Sequence, residues 1–404
     1  SFAGVLRHKL QVICNENPEQ FEYFWGAVNQ SAMILKDLVA DDRAVITIRD
    51  GVKIDSENGT AMDEAKYNYE VVEPGTIFNL CMEVNLRTAY DKGYFMKTIA
   101  TILDLVGSGK ISVGAMTTKG FGRIRLEDAR IYEFDFSQKT HAILWLTQNF
   151  RKLEPLKRET IDSFDIPLDS TLTIDAWFDI KSSLIIGAYS ENPEDAADKT
   201  HIKSNNQPVL TGTALKGIIR SRAEKIINTL GGNGEETLKD LMGWVDTDSK
   251  GDNIKSRVVV EESEIKGVAE KIQHRIRIDR FTGGVISGAL FDSRPLWKQK
   301  GQAKTVNMKI TVNVPKLWEI GLLLLVLKDL WTEDLPVGGE KNIGRGVLQG
   351  IGAKIKFDAK EFEILQKGKD HLSIQGDVAE LERFVEEFNR YIQHKETENA
   401  VATV

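Results

Sequence analysis

The chain has 404 residues, of which 41% are hydrophobic and 28% are charged, and its formal net charge is −7. This is too long for one ordinary domain, and the apolar fraction is enough for a globular protein with a large core. The negative charge argues against nucleic-acid binding through bulk charge, but it allows a local basic track. The sequence has two cysteines, Cys14 and Cys81, which favour neither a disulfide framework nor a zinc site and predict a reducing, cytoplasmic setting. No stretch is apolar enough to span a membrane, and no signal-peptide pattern opens the sequence.

The first helical pattern of the chain returns later. Apolar residues at positions 2, 5, 6, 10 and 13 predict one helix, and those at 215, 218, 219, 223 and 226 predict another, with Thr213 as its N-cap. The shared positions are Gly4 with Gly217, Arg7 with Arg220, and Lys9 with Arg222. A strand-like run, Thr171–Ile186, precedes the second helix alone. We therefore expect the sequence to begin within a module whose first strand is missing.

Further elements keep the same order in both halves. Each half continues with a buried-strand pattern, a polar hairpin, an alternating strand and a second helix. In the first half these are Ser31–Asp37, Asp55–Tyr69, Ile77–Asn85 and Phe95–Val106, and in the second they are Ser256–Glu262, Asp279–Trp297, Val306–Val314 and Leu317–Leu330. Asp279 stands 224 residues after Asp55 (279 − 55), which indicates one duplication rather than chance matches.

A glycine-rich loop ends each half, and the two loops share their spacing. Gly114, Gly120 and Gly122 each have a counterpart 224 residues later (338 − 114), namely Gly338, Gly344 and Gly346. Cations accompany them: Lys119 and Arg123 in the first loop, Lys341 and Arg345 in the second. Glycines let a backbone approach a polyanion closely, with its N–H groups free for phosphate. Neither loop fits a P-loop or a dinucleotide fingerprint, which argues against nucleotide hydrolysis.

Together these elements predict an α+β fold of two tandem ferredoxin-like modules, the architecture of RNA-recognition motifs, each with an inserted hairpin. We place the first module at residues 1–146, a linker containing Pro155 and Pro167 at 147–168, and the second module at 169–360. The C-terminal region, 361–404, contains an amphipathic helix pattern over Val378–Tyr391. That helix is expected to dock on the second module or on a neighbour.

Three motifs of the second half resemble those of the RAMP superfamily, the backbone subunits of CRISPR effector complexes. They are Leu215–Arg222, Ile278–Gly284 and the loop Gly338–Gly346. They occur twice in the same order, and the resemblance covers nearly the whole chain. Such a fusion is most similar to the double-module subunits of type III-D-like complexes, which belong to the RNA-targeting branch. The missing first strand of module one departs from the family pattern.

The resemblance implies a subunit that stacks with other subunits of an effector complex along a CRISPR RNA. A thumb hairpin would kink the duplex of guide RNA and complementary target RNA at regular intervals. The residues implied to bind RNA are Arg7, Lys9, Gly114, Lys119, Gly120, Gly122, Arg123, Lys216, Arg220, Arg222, Arg280, Phe281, Gly338, Gly339, Lys341, Gly344, Arg345 and Gly346. Cations beside glycines or at a helix start also suit phosphate on physical grounds, although a solvated helix face explains any single one. Phe281, Leu290 and Phe291 fit either a thumb wedge or core packing.

The resemblance also implies a catalytic aspartate in the loop between the first strand and first helix of a module. The matching residue is Asp198, with Asp195 as its nearest competitor. A carboxylate there can recruit a loosely held divalent cation, Mg²⁺ or Mn²⁺, or help activate the ribose 2′-OH for attack on the adjacent phosphate. His201 lies three residues on as a candidate assistant, and the six histidines show no metal-ligand spacing.

The sequence therefore favours a guide-binding subunit that also cleaves target RNA as a metal-dependent endoribonuclease. A purely structural guide-binding subunit, with cleavage carried by a neighbour, stays open. A nuclease that processes the precursor of the guide would use histidine, tyrosine or lysine as acid and base, and the sequence does not assemble such a group.

Overall fold

The computed structural model describes residues 1–27, 30–55, 60–167, 170–188, 197–245, 253–368 and 371–402. The chain is mixed α+β, as the sequence predicts, and it divides into two compact units. Unit 1 contains Ser1–Asp42, Ile77–Thr117 and Phe121–Leu168, and unit 2 contains Arg43–Thr76, Thr118–Gly120 and Asp169–Val404. Residues 43–76 thus belong with the second half of the chain, which differs from the module boundaries read from the sequence.

In chain order, the helices are α1 (Phe2–Ile13), α2 (Pro18–Trp25), α3 (Lys92–Gly107), α4 (Lys139–Leu146), α5 (Gly212–Thr229), α6 (Gly234–Met242), α7 (Leu317–Trp331) and α8 (Val378–Ala402). The strands before the second half are β1 (Met33–Leu35), β2 (Val39–Ala40), β3 (Ile46–Ile54), β4 (Ala61–Val72), β5 (Phe78–Asn79) and β6 (Met82–Val84). The strands of the second half are β7 (Thr171–Ile180), β8 (Ser183–Leu184), β9 (Gly187–Ala188), β10 (Lys199–His201), β11 (Lys203–Ser204), β12 (Gln207–Leu210), β13 (Val258–Val260), β14 (Ser263–Glu264), β15 (Val268–Glu270), β16 (Gln273–Ile278), β17 (Val285–Arg294), β18 (Leu296–Lys298), β19 (Val306–Asn313), β20 (Leu348–Phe357), β21 (Lys360–Gln366) and β22 (Leu372–Gln375).

Unit 1 has its core between α1, α2, α3 and short strands. The hydroxyl of Ser1 accepts the N–H of Gly4 at 3.2 Å and so caps α1, and α2 begins after Asn17 with Pro18 in its first turn. The side chains that are completely buried in this core include Leu6, Leu10, Phe24, Phe95, Ile102 and Leu105. β1 pairs with β6 and β2 with β5. The alternating strand predicted for Ile77–Asn85 is therefore two short strands, β5 and β6.

The segment predicted as a linker packs into unit 1. Phe164 is buried in the core, its N–H donates to Thr101 Oγ1 at 2.9 Å, and its ring meets that of Tyr94 edge-on at 5.3 Å between centroids. Burying a phenylalanine contributes about 1.5–3 kcal/mol. Residues around Phe164 are thus fixed by the hydrophobic effect and do not form a free connection.

Unit 2 contains an antiparallel six-stranded sheet in the order β13-β19-β7-β20-β21-β22. α5 lies between β7 and β13 in the chain, and α7 lies between β19 and β20. The first four strands therefore have the order of a ferredoxin-like β-α-β-β-α-β sheet. Alternate residues of β7 are completely buried in one core with α5 and α7, as a period of two requires: Leu172, Ile174, Ala176 and Phe178.

The C-terminal helix α8 docks on α7 of the same unit. Phe384 and Phe388 are completely buried. Gly321 of α7 allows the close approach, because a Cβ there would lie 2.1 Å from the carbonyl oxygen of Phe384. The Trp318 and Tyr391 rings stack with centroids 4.2 Å apart. The amphipathic pattern of the sequence thus marks an intramolecular docking surface.

The N-cap of helix α5 is Thr211, two residues before the predicted N-cap Thr213. The Thr211 hydroxyl accepts the N–H of Ala214 at 3.3 Å, and Thr213 instead donates its own hydroxyl to Thr211 at 3.1 Å. The helix starts earlier than predicted because Gly212 is already helical and buried. A Cβ at Gly212 would lie 2.1 Å from the carbonyl oxygen of Lys119, so the glycine reflects close packing and not the end of the loop.

Two long hairpins, β3–β4 and β16–β17, extend from unit 2. Their strands begin earlier than the polar segments that predicted them. A buried ion pair anchors the first hairpin: Arg49 Nη1 and Nη2 donate to the Glu262 carboxylate at 2.6 and 3.2 Å, and Arg49 Nη2 lies 3.7 Å from Glu73 Oε1. Bidentate arginine–carboxylate pairs of this kind fix geometry as well as charge.

Across the described ranges, none of the helices combines the length and the apolar character that crossing a membrane requires.

Candidate functional site

Asp198 lies at the base of the hairpin β16–β17. It immediately precedes β10, which pairs in parallel with β17 through Lys199 and Ser293. The Asp198 side chain is exposed, and its Oδ2 accepts the N–H of Asp292 at 2.9 Å. The hairpin thus holds the predicted catalytic carboxylate at a fixed place on the surface. The competing Asp195 lies outside the described residues.

His201, the histidine that sequence reasoning offered as an assistant, is a structural residue. It is buried, its Nδ1 accepts the N–H of Ile186 at 3.1 Å, and its Nε2 lies 2.9 Å from the carbonyl oxygen of Val209. Burial lowers the pKa of His201 to about 4. A neutral ring with both nitrogens occupied has neither the access nor the protonation state for a part in RNA cleavage.

Another histidine lies on the hairpin that binds Asp198. His274 on β16 is the cross-strand partner of Asp292 on β17, and His274 Nδ1 lies 2.8 Å from Asp292 Oδ1. His274 is exposed and Asp292 is half-buried. Sequence reasoning did not identify this pair. Counting outward from the turn could not have revealed it, because the register shifts between Ile276 and Ile278 and brings Asp292 opposite His274.

The second glycine loop closes on itself beside this site. The N–H of Val337 donates to the carbonyl of Gly346 at 2.8 Å, and Gly338, Gly344 and Gly346 all have φ between 80° and 83°. A Cβ on Gly346 would lie 1.9 Å from the Val337 carbonyl oxygen, whereas nothing lies within 4 Å of one on Gly344. Gly346 is therefore required for the closure, and Gly344 is free on the open side of the loop.

Glu340 ties this loop to the hairpin and to the strand that follows Asp198. Its carboxylate contacts the Arg275 guanidinium, lies 2.7 Å from Arg345 Nε, and lies 3.9 Å from Lys199 Nζ. Burial acts to raise the pKa of Glu340, but the hydrogen bond and charge of Arg275, with the other cations, hold it below its usual value. Arg345 itself is buried and also donates to Ser183 Oγ at 3.0 Å. Of the two cations predicted to hold phosphate here, Lys341 is exposed and Arg345 stabilises the loop.

The cations of α5 bind groups of unit 2 in this structure. Lys216 is buried, and its Nζ donates to Ser256 Oγ and the Val258 carbonyl at 2.8 Å each and to the Thr118 carbonyl at 3.3 Å. Arg220 donates to the carbonyl of Gly243 at 3.2 Å, and Arg222 pairs with Asp329. Their predicted contacts with guide RNA stay predictions, and Lys216 faces the interior.

The first glycine loop repeats the closure of the second. The N–H of Val113 donates to the Gly122 carbonyl at 2.8 Å, and nothing lies within 4 Å of a Cβ on Gly114. Gly120 is different, since a Cβ there would lie 2.6 Å from the backbone nitrogen of Glu262. The predicted cations Arg7 and Arg123 are exposed, and Lys9 and Lys119 are half-buried.

The tip of the hairpin β16–β17 presents aromatic and cationic groups to solvent. Phe281 is fully exposed, Arg280 is exposed, and Asp279 Oδ1 accepts the N–H groups of Phe281 and Thr282 at 2.9 and 2.8 Å. These backbone hydrogen bonds lower the pKa of Asp279. Leu290 and Phe291 are 64% and 42% exposed, so the three predicted wedge residues belong to the surface and not to the core. Exposed aromatic rings beside arginines can stack on single-stranded bases.

The described residues do not form a resident metal site. Among them, no group of three or more His, Cys, Asp or Glu side chains is arranged to hold a metal ion. At the hairpin base one oxygen of Asp198 accepts the N–H of Asp292, and one oxygen of Asp292 is bound by His274. This donor set does not fit the octahedral, oxygen-rich coordination of Mg²⁺ or Mn²⁺ by protein groups alone.

Comparison with known proteins agrees with this arrangement of motifs. The chain matches the family model of the RAMP superfamily over residues 1–125 and 177–349, which include both glycine loops, both hairpins and Asp198. No curated protein matches the chain. The family match spans most of the sequence, so this chain belongs to the RAMP superfamily.

Proposed function

We propose that the chain is a CRISPR RNA-binding backbone subunit of a type III, III-D-like effector complex, and that Asp198 cleaves bound target RNA. Membership of the RAMP superfamily implies a CRISPR-associated RNA-binding subunit. The single observation that supports cleavage is the exposed Asp198 carboxylate, held by the N–H of Asp292 at the base of a hairpin whose tip carries exposed Arg280 and Phe281.

Matching local geometry supports the proposal of two tandem modules. Each glycine loop closes through the same valine-to-glycine hydrogen bond, at 2.8 Å in both. The Ser31 hydroxyl donates to the Met33 carbonyl at 2.6 Å, and Ser256 donates to Val258 at 3.0 Å. Two copies of one module would keep such bonds because they depend on local sequence and not on distant contacts.

Exposed groups within each of the two units support RNA binding. Arg7, Arg123, Arg280 and Lys341 are exposed cations, and Gly114 and Gly344 leave backbone open to close approach. Phosphate contacts of this kind position RNA without reading its sequence. Phe281 would insert beside a base and so kink the duplex of guide and target. The RNA contacts we propose in each unit therefore depend on these groups rather than on the buried Lys216 and Arg345.

Asp198 would act on the ribose of the target strand. Its carboxylate takes the proton of a 2′-OH, whose oxygen attacks the adjacent phosphorus, and the product ends in a 2′,3′-cyclic phosphate. The predicted need for a divalent cation, Mg²⁺ or Mn²⁺, stays a prediction to be tested with a chelator.

A purely structural subunit is the second candidate. It is favoured by the lack, within the described ranges, of three or more grouped metal ligands. In that case Asp198 would serve only as a cap for the N–H of Asp292, and a neighbouring subunit would cut the target.

Substitution of Asp198 distinguishes the two candidates. We expect Asp198→Ala to abolish one cut in end-labelled target RNA while guide binding and the unfolding temperature stay close to wild type, because the side chain is exposed. The reconstituted complex would be assayed on a denaturing gel beside Asp195→Ala, the variant of the competing aspartate. An unchanged ladder for both variants would support the scaffold, and loss with Asp195→Ala alone would move the site three residues.

A further inference from the structure

The hydrogen-bonded pair at the hairpin base gives the cleavage site a second catalytic group. We propose that His274 is the general acid that protonates the leaving oxygen during cleavage of target RNA, and that Asp292 is the residue that positions it. This inference rests on the proposed function, since it assigns a further residue to the same reaction.

Strand β17 connects Asp198, Asp292 and His274. Asp292 on β17 offers its backbone N–H to Asp198 Oδ2 at 2.9 Å and its carboxylate to His274 Nδ1 at 2.8 Å. Asp198 therefore lies on the β10 side of β17, and His274 lies on the β16 side. Cleavage by a 2′-OH needs a base and an acid on opposite sides of the reacting phosphate, and this arrangement supplies a carboxylate and an imidazole on either side of one strand.

The pairing with Asp292 suits an acid. The carboxylate 2.8 Å from Nδ1 fixes the orientation of the ring, so that Nε2 is the nitrogen directed away from Asp292. His274 is 69% exposed on its side chain, whereas Asp292 is 18% exposed. Asp292, which orients the ring, is thus covered, and His274, which would meet RNA, is accessible. This contrasts with the buried His201, whose ring nitrogens both face backbone groups of the protein.

The proposed step balances in atoms and charge. The 2′-oxygen forms a bond to phosphorus while the bond from phosphorus to the 5′-oxygen of the next nucleotide breaks. The 2′-OH proton moves to the Asp198 carboxylate, and the Nε2 proton of His274 moves to the departing 5′-oxygen. The products are a 2′,3′-cyclic phosphate and a 5′-hydroxyl. Asp198 then returns its proton to solvent, and the imidazole takes one up.

The first hairpin provides an internal comparison. Its register pairs Asp50 with Asn68, which stand 224 residues before His274 and Asp292 (274 − 50 and 292 − 68). The same cross-strand position thus carries an imidazole and a carboxylate in one hairpin and a carboxylate and an amide in the other. Asp50 is therefore the matched control position for His274.

A target RNA with sulfur in place of the bridging 5′-oxygen tests the assignment. A thiolate leaves without protonation, so it removes the need for an acid and leaves the need for a base. In the reconstituted complex, we expect His274→Gln to cleave ordinary RNA about 100-fold more slowly or worse, but to cleave the sulfur-containing RNA at nearly the wild-type rate. Asp292→Asn should show the same pattern more weakly. Asp198→Asn should be slow on both RNAs, and Asp50→Ala should match wild type on both.

Each other result is decisive. If His274→Gln is equally slow on both RNAs while guide binding is normal, or unimpaired on both, His274 is not the acid and this inference fails alone. If Asp198→Asn is the variant that sulfur rescues, the two roles are reversed and the inference is wrong. If the wild-type complex cuts neither RNA at this site, the proposed cleavage function fails, and the assignment of His274 fails with it.

Discussion

At the scale of single residues, the cations of the two repeated helices differ in how far they are buried. Arg7 of α1 is exposed, whereas Lys216 of α5 is buried against the Ser256 hydroxyl and the carbonyls of Thr118 and Val258. An ammonium group surrounded by neutral acceptors loses more solvation than it regains. Burial, with Lys119 and Arg220 nearby, lowers the pKa of Lys216 to about 7.

This residue predicts a pH dependence of stability. An unfolded chain keeps the Lys216 proton up to about pH 10.5, whereas the folded protein releases it near pH 7. Between these values the unfolded state binds more protons, so the free energy of unfolding should rise with pH. Lys216→Met removes this dependence. We therefore expect the unfolding temperature of wild type, relative to that of the variant, to rise from pH 7 to pH 10. A difference independent of pH would show that Lys216 titrates normally.

Sequence alone predicted Asp198 and the cations as site residues, but it missed His274 and Asp292 and did not predict which cations are buried. The position of Asp198 on the surface agrees with a loop rich in acidic residues, and exposure of Phe281 agrees with a polar hairpin turn. Lys216, Arg345 and His201 could not be assigned in this way. Their burial depends on Thr118, Ser183 and Val209, which the chain brings close only after folding.

At the scale of elements, the two glycine loops give a matched pair of substitutions. Gly120 and Gly344 have φ of 92° and 81°, so the positive φ destabilises an alanine to a similar extent at both positions. A Cβ at Gly120 also meets the backbone of Glu262 at 2.6 Å, whereas one at Gly344 meets nothing within 4 Å. We expect Gly120→Ala to lower the unfolding temperature more than Gly344→Ala does.

The same variants separate a structural turn from a phosphate-binding loop. If the open side of the second loop faces guide RNA, Gly344→Ala should weaken guide binding more than it weakens folding. A β-branched residue at 344 should weaken it further. Affinity would be measured by filter binding on the folded fraction, at one stated salt concentration. Normal affinity with reduced stability would assign the loop a structural role.

Helices and strands differ in how well local sequence predicts them. The helix pattern placed α7 at Leu317–Leu330, and the observed helix ends one residue later at Trp331. Strand Thr171–Ile186 instead stops at Ile180, and the short strand Ser183–Leu184 follows. Helix periodicity is a local property, whereas strands end where their partners end, and those partners lie more than 100 residues away in the chain.

At the scale of the whole molecule, the first hairpin depends on unit 2. The buried Arg49 and Glu73 and the half-buried Glu262 form a charged group within that unit. Removing Arg49 leaves two carboxylates without their cation, and loss of one partner of a buried ion pair costs about 3–5 kcal/mol. We expect Arg49→Met to increase hydrogen exchange throughout β3 and β4 and to destabilise unit 2.

Exchange in unit 1 is the internal control. The core helices α1 and α3 should keep their wild-type protection in Arg49→Met, because Arg49 belongs to the other compact unit. Adding Glu262→Gln should restore part of the lost protection by removing one of the stranded charges. Equal loss of protection in α3 would mean that the two units unfold together.

The difference between the two hairpins also has a consequence for the number and spacing of cuts in a target. Where the second hairpin carries His274 and Asp292, the first carries Asp50 and Asn68. A chain that cuts by acid and base would then cut once, although it has two hairpins. The number of cuts in a long target would equal the number of chains and not the number of modules. The interval between neighbouring cuts would be the length of guide that one whole chain covers, and the number of cuts would give the copies of this chain in the assembly.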